Sequence, residues 1–198
     1  MKLSKGWIIL IVVVAIVVIL VGWGTGIYNK MVAQDENVGK AWANVENVYQ
    51  RRADLIPNLV ATVKGVADFE KSTLTDVIEA RAKATSVTID PANLNAQSMQ
   101  QFQAAQDGLS SALSRLMVVV ERYPELKATQ NFMELQAQLE GTENRITVER
   151  MKFNETVQAY NTYIRSFPAA AFAGMFGFEK KTPFEAQGGA EVAPKVEF

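Results

Sequence analysis

A chain of 198 residues with 20 basic and 21 acidic side chains carries a net charge of −1, so it has no electrostatic footprint for nucleic acid. It contains no cysteine, which excludes disulfides, thiol catalysis and thiolate metal sites. It contains no histidine either, which removes the commonest general base and the commonest metal ligand.

The first element is apolar. Trp7 to Val21 reads WIILIVVVAIVVILV, and no charge falls between Lys5 and Lys30. That is close to the roughly 20 residues needed to cross a bilayer. Trp7 and Trp23 bracket the run and Tyr28 follows; aromatics at both ends mark an interfacial belt. Residues 1–27 are therefore read as an N-terminal membrane anchor, with Trp7, Trp23 and Tyr28 at the membrane interface. The alternative is a cleaved signal peptide, with Lys2 and Lys5 as its basic start and a small-x-small site among Gly22, Gly24 and Gly26. The length of the run favours the anchor. Those glycines suit either close helix packing or a flexible exit from the membrane. Lys2 and Lys5 precede the span, while Lys30 beyond it is soon offset by Asp35 and Glu36. Lys/Arg bias then puts the N-terminus in the cytoplasm and the rest outside it, in the cell (inner) membrane; the opposite orientation is the alternative.

Residues 28–167 carry helical periodicity. From Tyr28 to Gly65, Met31, Val38, Val45, Arg52, Leu59 and Val66 recur every seven residues, and Trp42, Tyr49, Ile56 and Val63 form a second row. Together they make one apolar face. Pro57 removes a backbone donor and predicts a kink near Ala53 to Ile56. Gly65 weakens the helix, and Asp68 or Ser72 offers a new cap. Lys71 to Thr85 predicts a shorter helix with Leu74, Val77, Ile78 and Arg81. Ser86 to Gln97, with Asp90-Pro91, predicts a loop. Met99, Phe102, Gln106, Leu109, Leu113, Leu116, Val120 and Tyr123 alternate by three and four, a third helix ended by Pro124. Asn131 with Glu134 resembles a capping box. A fourth helix carries Phe132, Leu139, Ile146, Phe153, Tyr160 and Phe167 every seven residues, edged by Glu143, Arg150, Val157 and Ile164, and closed by Pro168. Residues 168–198 lack a helical period and are read as an irregular C-terminal tail over the bundle, frayed at its end.

The expected fold is all-α: an N-terminal transmembrane helix followed by an antiparallel up-and-down four-helix bundle. A continuous first helix through Thr85, giving three long helices, is the alternative. Four helices return Phe167 and the apolar tail to the membrane face; three send them to the far end.

AWANVENVYQRRADLIPNLVATVKG, LEGTENRI, the later YN and FP pairs and PFEAQGGAEVAPKVEF together resemble the LemA family, over nearly the whole chain. The resemblance implies a membrane-anchored, all-helical bacterial protein and implies no activity. Relatives often carry an aromatic where Val66 stands and a histidine where Phe69 stands, so no role of those side chains transfers.

No catalytic, cofactor-binding or metal site is expected. Di-metal centres in helical bundles use Glu-x-x-His pairs, and this chain has no histidine. Asp54, Asp68, Glu143 and Glu149 are read as solvated or ion-paired faces rather than a hydrolytic pair. The glycines of the tail match no phosphate loop. Trp42, Tyr49, Phe153 and Tyr160 are read as core by their heptad placement.

The function expected is a non-enzymatic single-pass membrane protein whose bundle is an assembly or interaction scaffold in the cell envelope. The alternatives are an accessory subunit of a membrane protease or other membrane enzyme, or a membrane-shaping protein. The partners expected are the lipid bilayer and either further copies of the chain, as a homo-oligomer, or another envelope protein. No small-molecule substrate is identified.

Arg52 is the exception in the apolar seam. In an antiparallel pair with Tyr28 level with Phe167, residues at one height have numbers summing to about 195 by their common rise. That predicts a structural ion pair of Arg52 with Glu143 and a weaker rung of Glu46 with Arg150, each fixing register because a slipped helix would bury its charges alone; the alternative is that Arg52 snorkels to solvent along its own stem.

Overall fold

A computed structural model describes residues 5–65 and 69–185. Lys2, Val66, Asp68 and the Gly188-Gly189-Ala190 stretch lie outside the described residues. Among those described, every regular element is helical: α1 Lys5–Lys64, α2 Lys71–Ser86, α3 Ala96–Val120, α4 Pro124–Lys127, α5 Gln130–Arg165 and α6 Ala169–Ala173, with a 3-10 turn at Pro91–Asn93.

The anchor and the first bundle helix are one element. α1 runs unbroken for 60 residues, through Gly22, Gly24 and Gly26 without a turn at residue 27. Its apolar window is long enough to cross a membrane, and none of that window is buried within the protein. Below Gly26 the side chains are exposed; from Ile27 a stripe is buried, taking in Met31, Val38, Trp42, Val45, Tyr49, Arg52, Ile56, Leu59 and Val63. The change from all-apolar to one-sided composition thus marks where packing against the rest of the protein begins.

α1 packs against α5 along most of the bundle, and α2 packs against α3. Both pairs are antiparallel: Arg52 meets Glu143 across the first, and Phe69 before α2 meets Tyr123 after α3 across the second. The four-helix arrangement therefore holds, with two long and two shorter helices. The core has two apolar clusters. The membrane-proximal one includes Met31, Trp42, Phe102, Phe153 and Tyr160. The distal one includes Ile56, Leu59, Val77, Leu116, Phe132 and Leu139.

Local details differ from expectation at chain ends. α2 begins after Glu70, with no side-chain cap. Pro124 opens the single turn α4 after three intervening residues beyond α3. α5 is capped by Thr129, whose hydroxyl accepts from the Phe132 amide, so the start lies two residues before Asn131. Thr129 satisfies a helix-start donor that Asn131, already inside the first turn, cannot reach. Phe167, the last member of the α5 row, falls past the helix end and is 85% exposed.

Candidate interaction site: a polar chain and a docked tail

Arg52 occupies the α1 position between the two core clusters, after Tyr49 and before Ile56. Its guanidinium is buried, 2% exposed. Nη1 donates to Glu143 Oε2 at 3.0 Å on α5 and to Ser110 Oγ at 2.8 Å on α3. Nη2 donates to Gln106 Oε1 at 2.7 Å and to the Gln106 carbonyl at 3.3 Å. Gln106 Nε2 in turn donates to the Ala84 carbonyl at 3.1 Å, in the last turn of α2. One chain of hydrogen bonds thus crosses all four bundle helices. The Tyr49 ring lies beside the guanidinium, 5.0 Å from its carbon. Burial raises the Tyr49 phenol above its ordinary range, against the opposing pull of Arg150 and Arg52. Glu143 itself is 55% exposed, so the pair is anchored at one end in the core and open to water at the other.

The Glu46–Arg150 rung is not made among the described residues. Arg150 turns to the tail, donating to the Glu185 carbonyl at 3.3 Å and lying 4.6 Å over the Phe184 ring. A guanidinium on an aromatic face keeps one side in water, whereas pairing with Glu46 would hold two flexible side chains for little gain at a surface.

Residues 178–185 are docked on the bundle as an extended strap. Asn161 brackets Lys181: its Nδ2 donates to the Lys181 carbonyl at 2.8 Å, and its Oδ1 accepts from the Lys181 amide at 3.0 Å. Asn154 brackets Phe184 the same way, at 3.0 and 2.8 Å. The spacing follows from geometry. Seven helical residues rise about 10.5 Å, and three extended residues cover about 10 Å, so two asparagines two turns apart reach every third tail residue. Tyr160 donates to the Glu179 carbonyl at 2.9 Å, and the Thr182 amide donates to the Leu94 carbonyl at 2.9 Å. Phe184 enters the aromatic group of Trp42, Phe102 and Phe153, with centroids 5.5 to 6.3 Å away. Lys181, nearly buried, donates to the carbonyls of Pro91 and Ala92 and pairs with Asp35 at 3.1 Å. A cleft of about 500 Å³ lies beside this strap, lined by Asp35, Asn93, Asn95, Tyr160 and residues 176–181. Burial pushes the Tyr160 hydroxyl up to about 12, with Asp35 and Glu179 adding to the effect.

Sequence reasoning brought Arg52 and Glu143 together and laid the tail over the bundle, but missed Gln106, Ser110 and the side chains that hold the strap. A glutamine standing in an otherwise apolar row was the available signal for Gln106. The YN pair is Tyr160-Asn161, two of the four α5 side chains that hydrogen-bond the strap. Of the interface aromatics, Trp7 is exposed near the start of α1. Trp23 meets Phe172 edge-on at 6.2 Å, and Tyr28 meets Phe176 at 5.0 Å and Phe178 at 5.9 Å. Among the described residues no three acidic side chains converge as a metal cluster.

The LemA family model matches residues 41–198. Magnetosome protein MamQ 2 of Paramagnetospirillum magneticum is 27% identical over 175 residues, covering 80% of this chain and 64% of that protein. Magnetosome protein MamQ of Magnetospirillum gryphiswaldense is 26% identical, covering 77% of this chain and 62% of its own. Protein LemA of Metamycoplasma hominis is 20% identical over 142 residues, covering 70% of this chain and 60% of its own. The chain thus spans less than two thirds of the length of these relatives.

Proposed function

The chain belongs to the LemA family, and from that premise we propose a non-enzymatic, single-pass membrane protein whose bundle is an assembly scaffold in the cell envelope. The observation that carries this reading is continuity: the apolar span and the longest bundle helix are one helix, α1. A scaffold needs its presenting surface held at a set place relative to the bilayer, and an unbroken helix does that. The absence of histidine and cysteine from the sequence supports a role without chemistry of its own. None of the relatives' printed names states a reaction, and two place their proteins in the magnetosome. The bundle faces away from the cytoplasm in this proposal, on the Lys2 and Lys5 bias.

Native mass spectrometry of the full-length protein, purified in mild detergent with whatever it retains, tests the reading. Copies of the chain in fixed stoichiometry, or one envelope protein in fixed stoichiometry, are expected. A monodisperse monomer that retains nothing overturns it. A stoichiometric peptidase would shift the role to accessory subunit of that enzyme.

A further inference from the structure

We propose that the turn after α5, from Phe167 to Phe176, is a second membrane contact: an apolar cap seated in the lipid interface beside the span. It rests on the reading of α1 as a membrane span and adds to it a surface the span does not contain.

The height of the cap follows from the span. Trp7 and Trp23 are 16 residues apart, about 24 Å of helix, so Trp23 sits near one boundary of a hydrocarbon layer about 30 Å thick. Tyr28 lies five residues further, about 7.5 Å, across a headgroup layer of about that depth. Phe172 touches Trp23 and Phe176 touches Tyr28, which brings the cap down to the same layer. Phe167 lies level with Tyr28 by the register of Arg52 on Glu143.

What the cap presents there is apolar and uncovered. Phe167 is 85% exposed and Met175 76%, with Phe176 also exposed. α6 turns its small residues inward instead, burying Ala169 and Ala173. Solvent is a poor neighbour for three such side chains within ten residues. The span running alongside identifies the occupant as lipid, because whatever covers the cap must lie where headgroups and first methylenes already are. Lys30 and Arg165, exposed and level with each other by the same register, lie about 10.5 Å past Trp23 at the outer edge of the headgroups, where long basic side chains reach back to phosphate oxygens.

The chain has no native cysteine, so single nitroxide labels can be placed at Phe167→Cys, Met175→Cys, Val14→Cys and Val118→Cys in full-length protein. The protein is reconstituted in vesicles of phosphatidylcholine and phosphatidylglycerol, and power-saturation EPR compares collision with oxygen and with a water-soluble nickel chelate. Val118, exposed on α3 at the distal end, is the water reference; Val14 checks the span on its own. Labels at 167 and 175 are expected to meet the nickel chelate at least about fivefold less than the label at 118, with oxygen collisions raised. Either one reading like 118 while 14 is lipid-embedded overturns the cap and leaves the span. A water-exposed 14 overturns the span reading and the cap with it.

Discussion

Arg52 shows why one charged side chain can organise a helical core. A buried guanidinium is tolerated where its donors find acceptors, and here four acceptors from α3 and α5 serve Nη1 and Nη2, while the buried Nε has no hydrogen-bond partner among the described residues. The heptad position of Arg52 and the register arithmetic pointed to Glu143, because an apolar seam leaves a charge few places to go. They did not point to Gln106, because a glutamine within an apolar row reads equally as a surface residue. The arrangement also changes the expected energetics. Glu143 is half exposed, so truncating Arg52 does not strand a buried carboxylate; it strands the Gln106 acceptors. Arg52→Ala is expected to cost about 3 kcal/mol, from an unsatisfied buried acceptor and the lost packing. Glu143→Ala, on the wet side, should cost about 1 kcal/mol. Urea melts of the two variants in detergent measure both, and equal costs would contradict this division. Tyr160 gives a second test. An unfolded phenol titrates near 10.0 and the folded one at about 12. Between those values the unfolded chain releases a proton the folded chain keeps, so the contribution is complete below pH 10 and is lost as pH rises toward about 12. Tyr160→Phe should flatten the fall in melting temperature across that window relative to the parent protein.

Pro57 and the strap belong to the scale of elements. Proline has no amide to give the carbonyl four residues back, and that carbonyl is Ala53's. Arg81 supplies the missing donor from α2, Nε to Ala53 O at 2.8 Å. Where the kink is expected, near Ala53 to Ile56, the freed carbonyl thus becomes a joint between α1 and α2, and α1 continues through Pro57 to Lys64. Arg81→Met should cost about 1–2 kcal/mol in the parent chain. It should cost less with Pro57→Ala, where residue 57 regains its amide; a double-mutant cycle that finds the two changes additive would refute the joint. The helices were legible because burial of one face imposes a period. That the tail lies over the bundle was legible, but the strap's contacts were not, because an extended segment held by its backbone leaves no period in its own residues. Its code lies in the helix that receives it, in Asn154 and Asn161. Asn154→Ala or Asn161→Ala removes two hydrogen bonds to the strap. Tryptic cleavage at Lys180 and Lys181 should then rise about tenfold, equivalent to about 1.4 kcal/mol of local opening; unchanged cleavage would show that the two asparagines do not hold the segment.

At the scale of the whole molecule, the choice between three and four helices was settled by an element the periodicity treats as trivial, the end of α1 at Lys64. Once the chain turns there, α5 must return beside α1 and deliver the tail to the membrane side, as the Trp23–Phe172 contact shows. A periplasm-maturing reporter fused after Phe198 should be active in the orientation proposed; silence there, with an active cytoplasmic reporter, would reverse it. From Tyr28 to Lys64 the helix stands about 54 Å tall. Because α1 is continuous from the span to that tip, the proposed reading makes the molecule a mast. Tilting its foot by about 10° would swing the tip by about 9 Å. A span answers changes in bilayer thickness by tilting, so local membrane thickness becomes a displacement at the distal loops, where a partner would meet it.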